Sequence, residues 1–178
     1  MSTIQLPPMP ADRPLQVDFV CTGNICRSPM AEVVLREHAA RRGLGERVST
    51  GSWGIGDWHV GQGADERTVA ALERAGFDGT AHRARSIDAA SAGEADLLVA
   101  LDESHVAALH ALRPAAADRI VLLRDFDPRA DGEREVPDPY WSGPEEFDRV
   151  LAMITRSVDG LLDALLEPSG RDRPPAGP

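Results

Sequence analysis

Four short apolar runs alternate with segments of helical periodicity along this chain, and that alternation limits its fold more than any other feature. Strands followed by helices in this rhythm build a parallel sheet with crossover helices, so the fold class is α/β. The runs are Gln16 to Cys21, Arg47 to Thr50, Ala95 to Leu101 and Arg119 to Phe126. The third is apolar almost throughout, as a strand covered on both faces must be. Pro29 to Arg42 is predicted helical, with Ser28 as cap, Pro29 in the first position, and Ala31, Val34, Leu35 and His38 on one face. Asp65 to Ala75 and Glu103 to Leu112 are also predicted helices, the second capped by Asp102. The glycine-broken stretch Gly51 to Gly63 is expected to be a long loop, and such loops often carry function. Pro144 to Leu166 closes the pattern, with Phe147, Val150, Leu151, Ile154, Val158 and Leu162 among the apolar residues at helical spacing.

The length of 178 residues, 42% of them hydrophobic, suffices for one domain with a buried core. Its expected extent is 15–166, preceded by a flexible segment 1–14 and followed by a disordered, proline-rich tail 167–178. Acidic residues number 29 against 19 basic ones, all arginine, and the net charge of -10 excludes a general attraction to nucleic acid or anionic lipid. Residues 1–14 lack the basic start and apolar run of a signal peptide, and no apolar stretch approaches the ~18 residues of a membrane span. The expectation is a cytoplasmic, soluble monomer without a membrane partner, with leaderless export left open. Cys21 and Cys26 lie too close together to staple distant parts of a secreted fold, so a reducing compartment and a catalytic or metal role come first.

The first strand runs into Cys21-Thr22-Gly23-Asn24-Ile25-Cys26-Arg27-Ser28 and then a helix. A loop of that length can wrap a tetrahedral oxyanion. The backbone N–H groups of Thr22, Gly23, Asn24, Ile25, Cys26 and Ser28 and the helix N-terminus supply donors, and Arg27 offers a planar bidentate pair. The same field lowers a thiol pKa from ~8.5 toward the ~3.5 to 7.5 of activated cysteines, which makes Cys21 a thiolate nucleophile beneath a bound phosphate. Gly23 and Asn24 suit the unusual dihedrals of such a loop, and the Ser28 hydroxyl can donate to the thiolate. An inert buried cysteine would leave the glycine, asparagine, arginine and serine around it unexplained. A zinc site on Cys21 and Cys26 lacks a second Cys or His pair at ligand spacing, so neither metal nor cofactor is expected. Two Asp-Pro pairs, Asp127-Pro128 and Asp138-Pro139, are comparable as sources of an acid.

On these residues the chain resembles the low-molecular-weight protein tyrosine phosphatases, whose loop is C-x5-R-S and whose first helix reads Ser-Pro-Met-Ala-Glu, as Ser28 to Glu32 do. The likeness continues through Trp58-His59-Val60-Gly61, Ala81 to Arg85, Leu101 to Ser104 and Asp138-Pro139-Tyr140, covering roughly 15–166. It implies a flavodoxin-like, four-stranded parallel sheet with helices on both faces and a site at the carboxyl end of the first strand, where open α/β sheets place ligands. It implies that Cys21 attacks phosphorus to form a cysteinyl-phosphate while Arg27 holds the phosphate oxygens. Asp138, rather than Asp127, would then protonate the departing phenolate and activate the hydrolytic water. The acid matters because a tyrosine oxygen has a pKa of ~10, and proton donation can contribute ~10²- to 10⁴-fold.

The resemblance also implies an aryl slot of Trp58, Tyr140 and Trp141, a phosphotyrosine-containing protein substrate, and a cognate tyrosine kinase as a candidate partner. His82 would support the loop asparagine and serine, and Cys26 would form a reversible disulfide with Cys21, its plainer alternative being a small buried apolar residue. Trp141 stands where a second tyrosine is usual, and Ser52 to Asp57 is longer than usual. Arsenate reductases relay oxidation to cysteines outside the loop, and this chain has none there. Ile25 and Tyr140 favour phosphotyrosine over phosphoarginine as substrate, and a non-catalytic phosphate-binding module would need no acid.

Overall fold

A computed structural model describes residues 4–167. Four parallel strands form one sheet in the order β2-β1-β3-β4, with β1 at Leu15–Cys21, β2 at Val48–Gly54, β3 at Leu97–Ala100 and β4 at Ile120–Leu122. The chain leaves β1 toward one side to reach β2, then returns past it to β3. The carboxyl end of β1 therefore sits where the strand order reverses and the loops on either side part.

Side chains alternate across the sheet and divide the core in two. Val17, Phe19, Leu97 and Val99 face α1 (Arg27–Arg41), α2 (Glu66–Arg74) and α5 (Pro144–Leu166), whose Leu35, Leu72, Ile154 and Leu162 complete that layer. Val20, Leu98, Ala100 and Leu122 face α3 (Ala89–Glu94) and α4 (Glu103–Leu112) through Ala92 and Leu109. The expected α/β class, the parallel sheet of four strands and the helices on both faces are all present.

Several elements depart from the sequence expectation for identifiable reasons. The second strand runs on through Gly54, where a loop was expected, and pairs Cys21 with Gly54. Glycine acts here as a permit for close approach: a Cβ at Gly51 would meet Asp18 Oδ1 at 2.9 Å, and one at Gly54 would meet the Thr22 carbonyl at 3.1 Å. The fourth strand ends at Leu122, and Leu123–Phe126 turns into a short 3-10 helix against α5. The helix α3, unforeseen in the sequence, is started by a capping box between Asp88 and Ser91. The first helix begins at Arg27, two residues before the expected start, so Ser28 lies inside its first turn rather than at the cap, and Cys26 takes the cap position without a side-chain hydrogen bond.

Part of the segment read as flexible is described. Leu6 and Met9 pack against the larger core cluster, and Arg13 donates to both oxygens of Asp96 at 2.6 and 2.8 Å. The tail expected to be disordered lies, beyond Glu167, outside the described residues.

Gly160 in α5 generates a test of this packing. A Cβ there would collide with the Phe126 carbonyl of the 3-10 turn. In an open helix Gly→Ala gains ~1 kcal/mol from propensity. Gly160→Ala is expected instead to destabilise by about 1–3 kcal/mol, the usual cost of overpacking, measured as a lower urea midpoint with an unchanged m-value.

Candidate active site

The loop between β1 and α1 closes around Asn24, the only asparagine of the chain. Its φ of 57° lies in the left-handed region, which asparagine tolerates better than most residues, and every polar atom of its side chain is used. Asn24 Nδ2 donates to Ser28 Oγ at 2.8 Å and to Ser52 Oγ at 2.9 Å, while Oδ1 accepts from the Arg85 N–H at 2.9 Å. Its carbonyl accepts from His82 Nε2 at 2.6 Å, which fixes that ring nitrogen as the protonated one. The Ser52 hydroxyl in turn donates to Glu32 Oε2 at 2.5 Å. The Ser28 hydroxyl accepts from Asn24, and its own proton faces two acceptors, Cys21 Sγ at 2.9 Å and the Trp53 carbonyl at 3.3 Å. Gly23 serves by shape rather than dihedral, since a Cβ there would press on the His59 ring at 3.0 Å.

Both cysteines are free and buried. Cys21 Sγ sits at the floor of a cavity of about 190 Å³. Burial pushes the Cys26 thiol up to about 12, so it is a neutral thiol at physiological pH.

Arg27 lines the same floor and is 3% exposed. Its Nη1 donates to Asp102 Oδ2 at 2.8 Å and to the Val136 carbonyl at 3.0 Å, and Nη2 faces Thr22 Oγ1 at 3.4 Å. Asp102 does cap α4, accepting from the His105 N–H with its other oxygen, so one carboxylate serves the helix and the arginine together. The Asp102 N–H in turn donates to His105 Nδ1, which leaves the proton of a neutral imidazole on Nε2, pointed at Thr22 Oγ1 2.9 Å away. Burial pulls His105 down to about 4, so that neutral form prevails near pH 7. Asp102 stays below the ordinary carboxylate range: burial opposes its charge, but the Ser104 hydrogen bond, His105 and Arg27 outweigh it.

The segment after β4 brings Asp138 over the cavity. Its Oδ2 lies 3.4 Å from Arg27 Nη2, its Oδ1 accepts from the Tyr140 N–H, and its side chain is 47% exposed. Trp58, Tyr140 and Trp141 form the walls, with His59 between them and the loop. Tyr140 and Trp141 meet edge to face with centroids 4.9 Å apart, and Trp141 is 91% exposed. The absent side chain of Gly56 leaves room for the Trp58 ring. Trp53 lies outside the cavity lining, pinned by its indole N–H to Asp18 and stacked under Arg85. Asp127, the rival acid, has a fully buried carboxylate held by Arg124 and Arg156, and it shapes a turn through the Arg129 N–H.

Cys21, Thr22, Gly23, Ile25, Cys26, Arg27, Asp138 and the three aromatics named from the sequence thus converge on one cavity, whereas the side chains of Asn24 and Ser28, also named there, are fully buried outside its lining, and His82 braces the loop from behind through the Asn24 carbonyl alone. Sequence reasoning missed His105 and the Arg27 contacts to Asp102 and Val136. The spacing Asp102-x-x-His105 announces a capping box but not the second use of each side chain. Among the described residues no set of three or more His, Cys, Asp or Glu gathers to hold a metal ion.

A parallel-sheet fold carrying a Cys-x5-Arg loop on a helix N-terminus defines a class of phosphate-handling proteins. Residues 16–170 match the family described as low molecular weight phosphotyrosine protein phosphatase, and the chain belongs to it. It is 46% identical to the low molecular weight protein-tyrosine-phosphatase of Streptomyces coelicolor over 85% of this chain and 94% of that relative. It is 45% identical to low molecular weight protein-tyrosine phosphatase A of Mycobacterium tuberculosis over 90% of this chain and 98% of the other. The crystal structure of YfkJ from Bacillus subtilis superposes with a TM-score of 0.80 at 32% identity, covering 88% of this chain and 97% of that one.

Buried neutral His105 yields a pH prediction. The unfolded chain takes up a proton near the ordinary imidazole value of 6.5 and the folded chain only near 4, so the unfolded state binds more protons between them. Stability is fully present above about 6.5 and falls as pH drops toward 4, by on the order of 3 kcal/mol at most. Chemical denaturation at stepped pH should show this loss, and His105→Gln should remove part of the slope. His82, also held low by burial, retains the rest of the imidazole contribution.

Proposed function

We propose that this protein hydrolyses phosphotyrosine in proteins by covalent catalysis. The observation that carries the reading is the placement of Cys21 Sγ and the Arg27 guanidinium on the floor of one cavity, with the Asp138 carboxyl 3.4 Å from Arg27 at its side. The backbone N–H groups of residues 22–28 and Arg27 bind the non-bridging phosphate oxygens, while the aryl group lies between Trp58 and Tyr140. The Cys21 thiolate attacks phosphorus in line, so that the S–P bond forms as the P–O bond to the tyrosine breaks. Asp138 gives its proton to the departing oxygen. Its carboxylate then takes a proton from a water that attacks the cysteinyl-phosphate, releasing inorganic phosphate and restoring the thiolate. Arg27 and the loop donors stabilise the charge spread over the equatorial oxygens in both steps.

The reading extends to a phosphotyrosine-bearing protein as substrate, a tyrosine kinase as the enzyme that makes it, and a monomeric chain at work in the cytoplasm. The family relation supports the phosphotyrosine-bearing substrate. Among the described residues no helix is long and apolar enough to cross a membrane.

Hydrolysis of phosphotyrosine and phosphoarginine peptides, measured side by side with a chelator present, tests the reading. Wild-type protein should turn over phosphotyrosine, and Cys21→Ser should abolish the reaction. Asp138→Ala should lower it by ~10²- to 10⁴-fold. Asp127→Ala should keep the turnover of its folded fraction and lose about 3–5 kcal/mol of stability, because it strips a buried arginine of its partner. A preference for phosphoarginine would overturn the substrate, and no turnover at all would leave only a phosphate-binding module.

A further inference from the structure

Asp65 and Arg67 lie outside the cavity lining, and the reaction above makes no use of them. The Asp65 N–H donates to the carbonyl of Ile25 in the phosphate-binding loop at 2.9 Å. The Asp65 carboxylate caps α2 and grips Arg67 with both oxygens, Nε to Oδ1 at 3.0 Å and Nη2 to Oδ2 at 2.8 Å. Held along that edge, the guanidinium has Nη1 to spare. It donates to the carbonyls of Tyr140 at 2.9 Å and Ser142 at 3.0 Å, on the segment that carries Asp138. The guanidinium carbon also lies 4.4 Å from the ring centroid of Phe147 at the start of α5 and 5.6 Å from that of Tyr140. A single ion pair therefore bridges the loop that cradles phosphate and the loop that carries the acid.

The bridge reaches the acid through one residue. Arg67 holds the carbonyl of Tyr140, and the N–H of Tyr140 donates to Asp138 Oδ1 at 3.1 Å. We propose that Asp65 and Arg67 are a positioning pair that sets the place of the Asp138 carboxyl relative to a phosphate in the loop, an inference that rests on Asp138 as the acid. Such a pair affects the proton transfer to the leaving group and leaves the phosphate cradle as it is. Lysine cannot replace the arginine, because a single ammonium cannot fork to a carboxylate and span two carbonyls at once. Asparagine at position 65 keeps the helix cap and loses the ion pair.

The test compares phosphotyrosine with 4-nitrophenyl phosphate, whose leaving group needs far less help from a proton, in Arg67→Lys, Asp65→Asn and Asp138→Ala. KM, inhibition by inorganic phosphate and the thermal midpoint are measured alongside. In both pair variants kcat for phosphotyrosine should fall ~10- to 10²-fold, the cost of a misplaced catalytic group. Turnover of 4-nitrophenyl phosphate and inhibition by phosphate should each change by less than about twofold, since donors to phosphate are untouched. Equal losses on both substrates, weakened phosphate inhibition, or unchanged phosphotyrosine turnover would each overturn the proposal. If Asp138→Ala alone shows the leaving-group selectivity, only this inference fails. If Asp138→Ala shows none, the acid assignment fails and takes the inference with it.

Discussion

Asn24 holds a left-handed conformation in the loop after β1, and much of the architecture around the site serves to keep it there. An L-residue adopts this backbone only where its surroundings over-determine it. Here the side chain is tied to α1 through Ser28, to β2 through Ser52 and to the Arg85 backbone, while the carbonyl is tied to His82. Two of the ties also do a second job. Ser28 reaches Cys21, and Ser52 reaches Glu32 on α1. The loop is consequently shaped before any ligand arrives, so the ordering of its donors is not charged against binding.

Arg27 poses the opposite problem, a full charge that is 3% exposed. A buried cation needs a partner with good geometry and its remaining protons satisfied. Asp102, the Val136 carbonyl and Thr22 meet that need, and Asp102 is itself steadied by the first turn of α4. Because Val136 and Asp138 belong to one short segment, the same arginine touches both the helix cap on one side of the sheet and the start of the acid loop. The cavity floor and the segment that carries Asp138 are mechanically joined at this side chain.

The strand, loop and first helix were legible in the sequence because their chemistry-bearing residues are contiguous, and local rules govern contiguous residues. What stayed hidden depends on distant approach. Gly51 and Gly54 look like loop punctuation until Asp18 and the Thr22 carbonyl are seen beside them. The apolar run at 119–126 reads as one strand, yet its second half bends into the notch at Gly160. His105 and Arg67 find their partners 83 and 73 residues away, and no periodicity announces such pairings. Two Asp-Pro pairs of equal standing in sequence differ sharply in space: one carboxylate is buried between two arginines, the other is half exposed at the cavity.

Trp141 stands almost wholly in solvent at the cavity mouth, while the floor beneath it is a closed web of hydrogen bonds. Exchanging an exposed side chain usually moves stability by no more than about 0.5 kcal/mol, whereas breaking a buried network costs several times that. Novelty is therefore cheap at the rim and ruinous at the base. Under selection, such a protein can drift in which partners it prefers, one rim residue at a time, while its chemistry stays frozen.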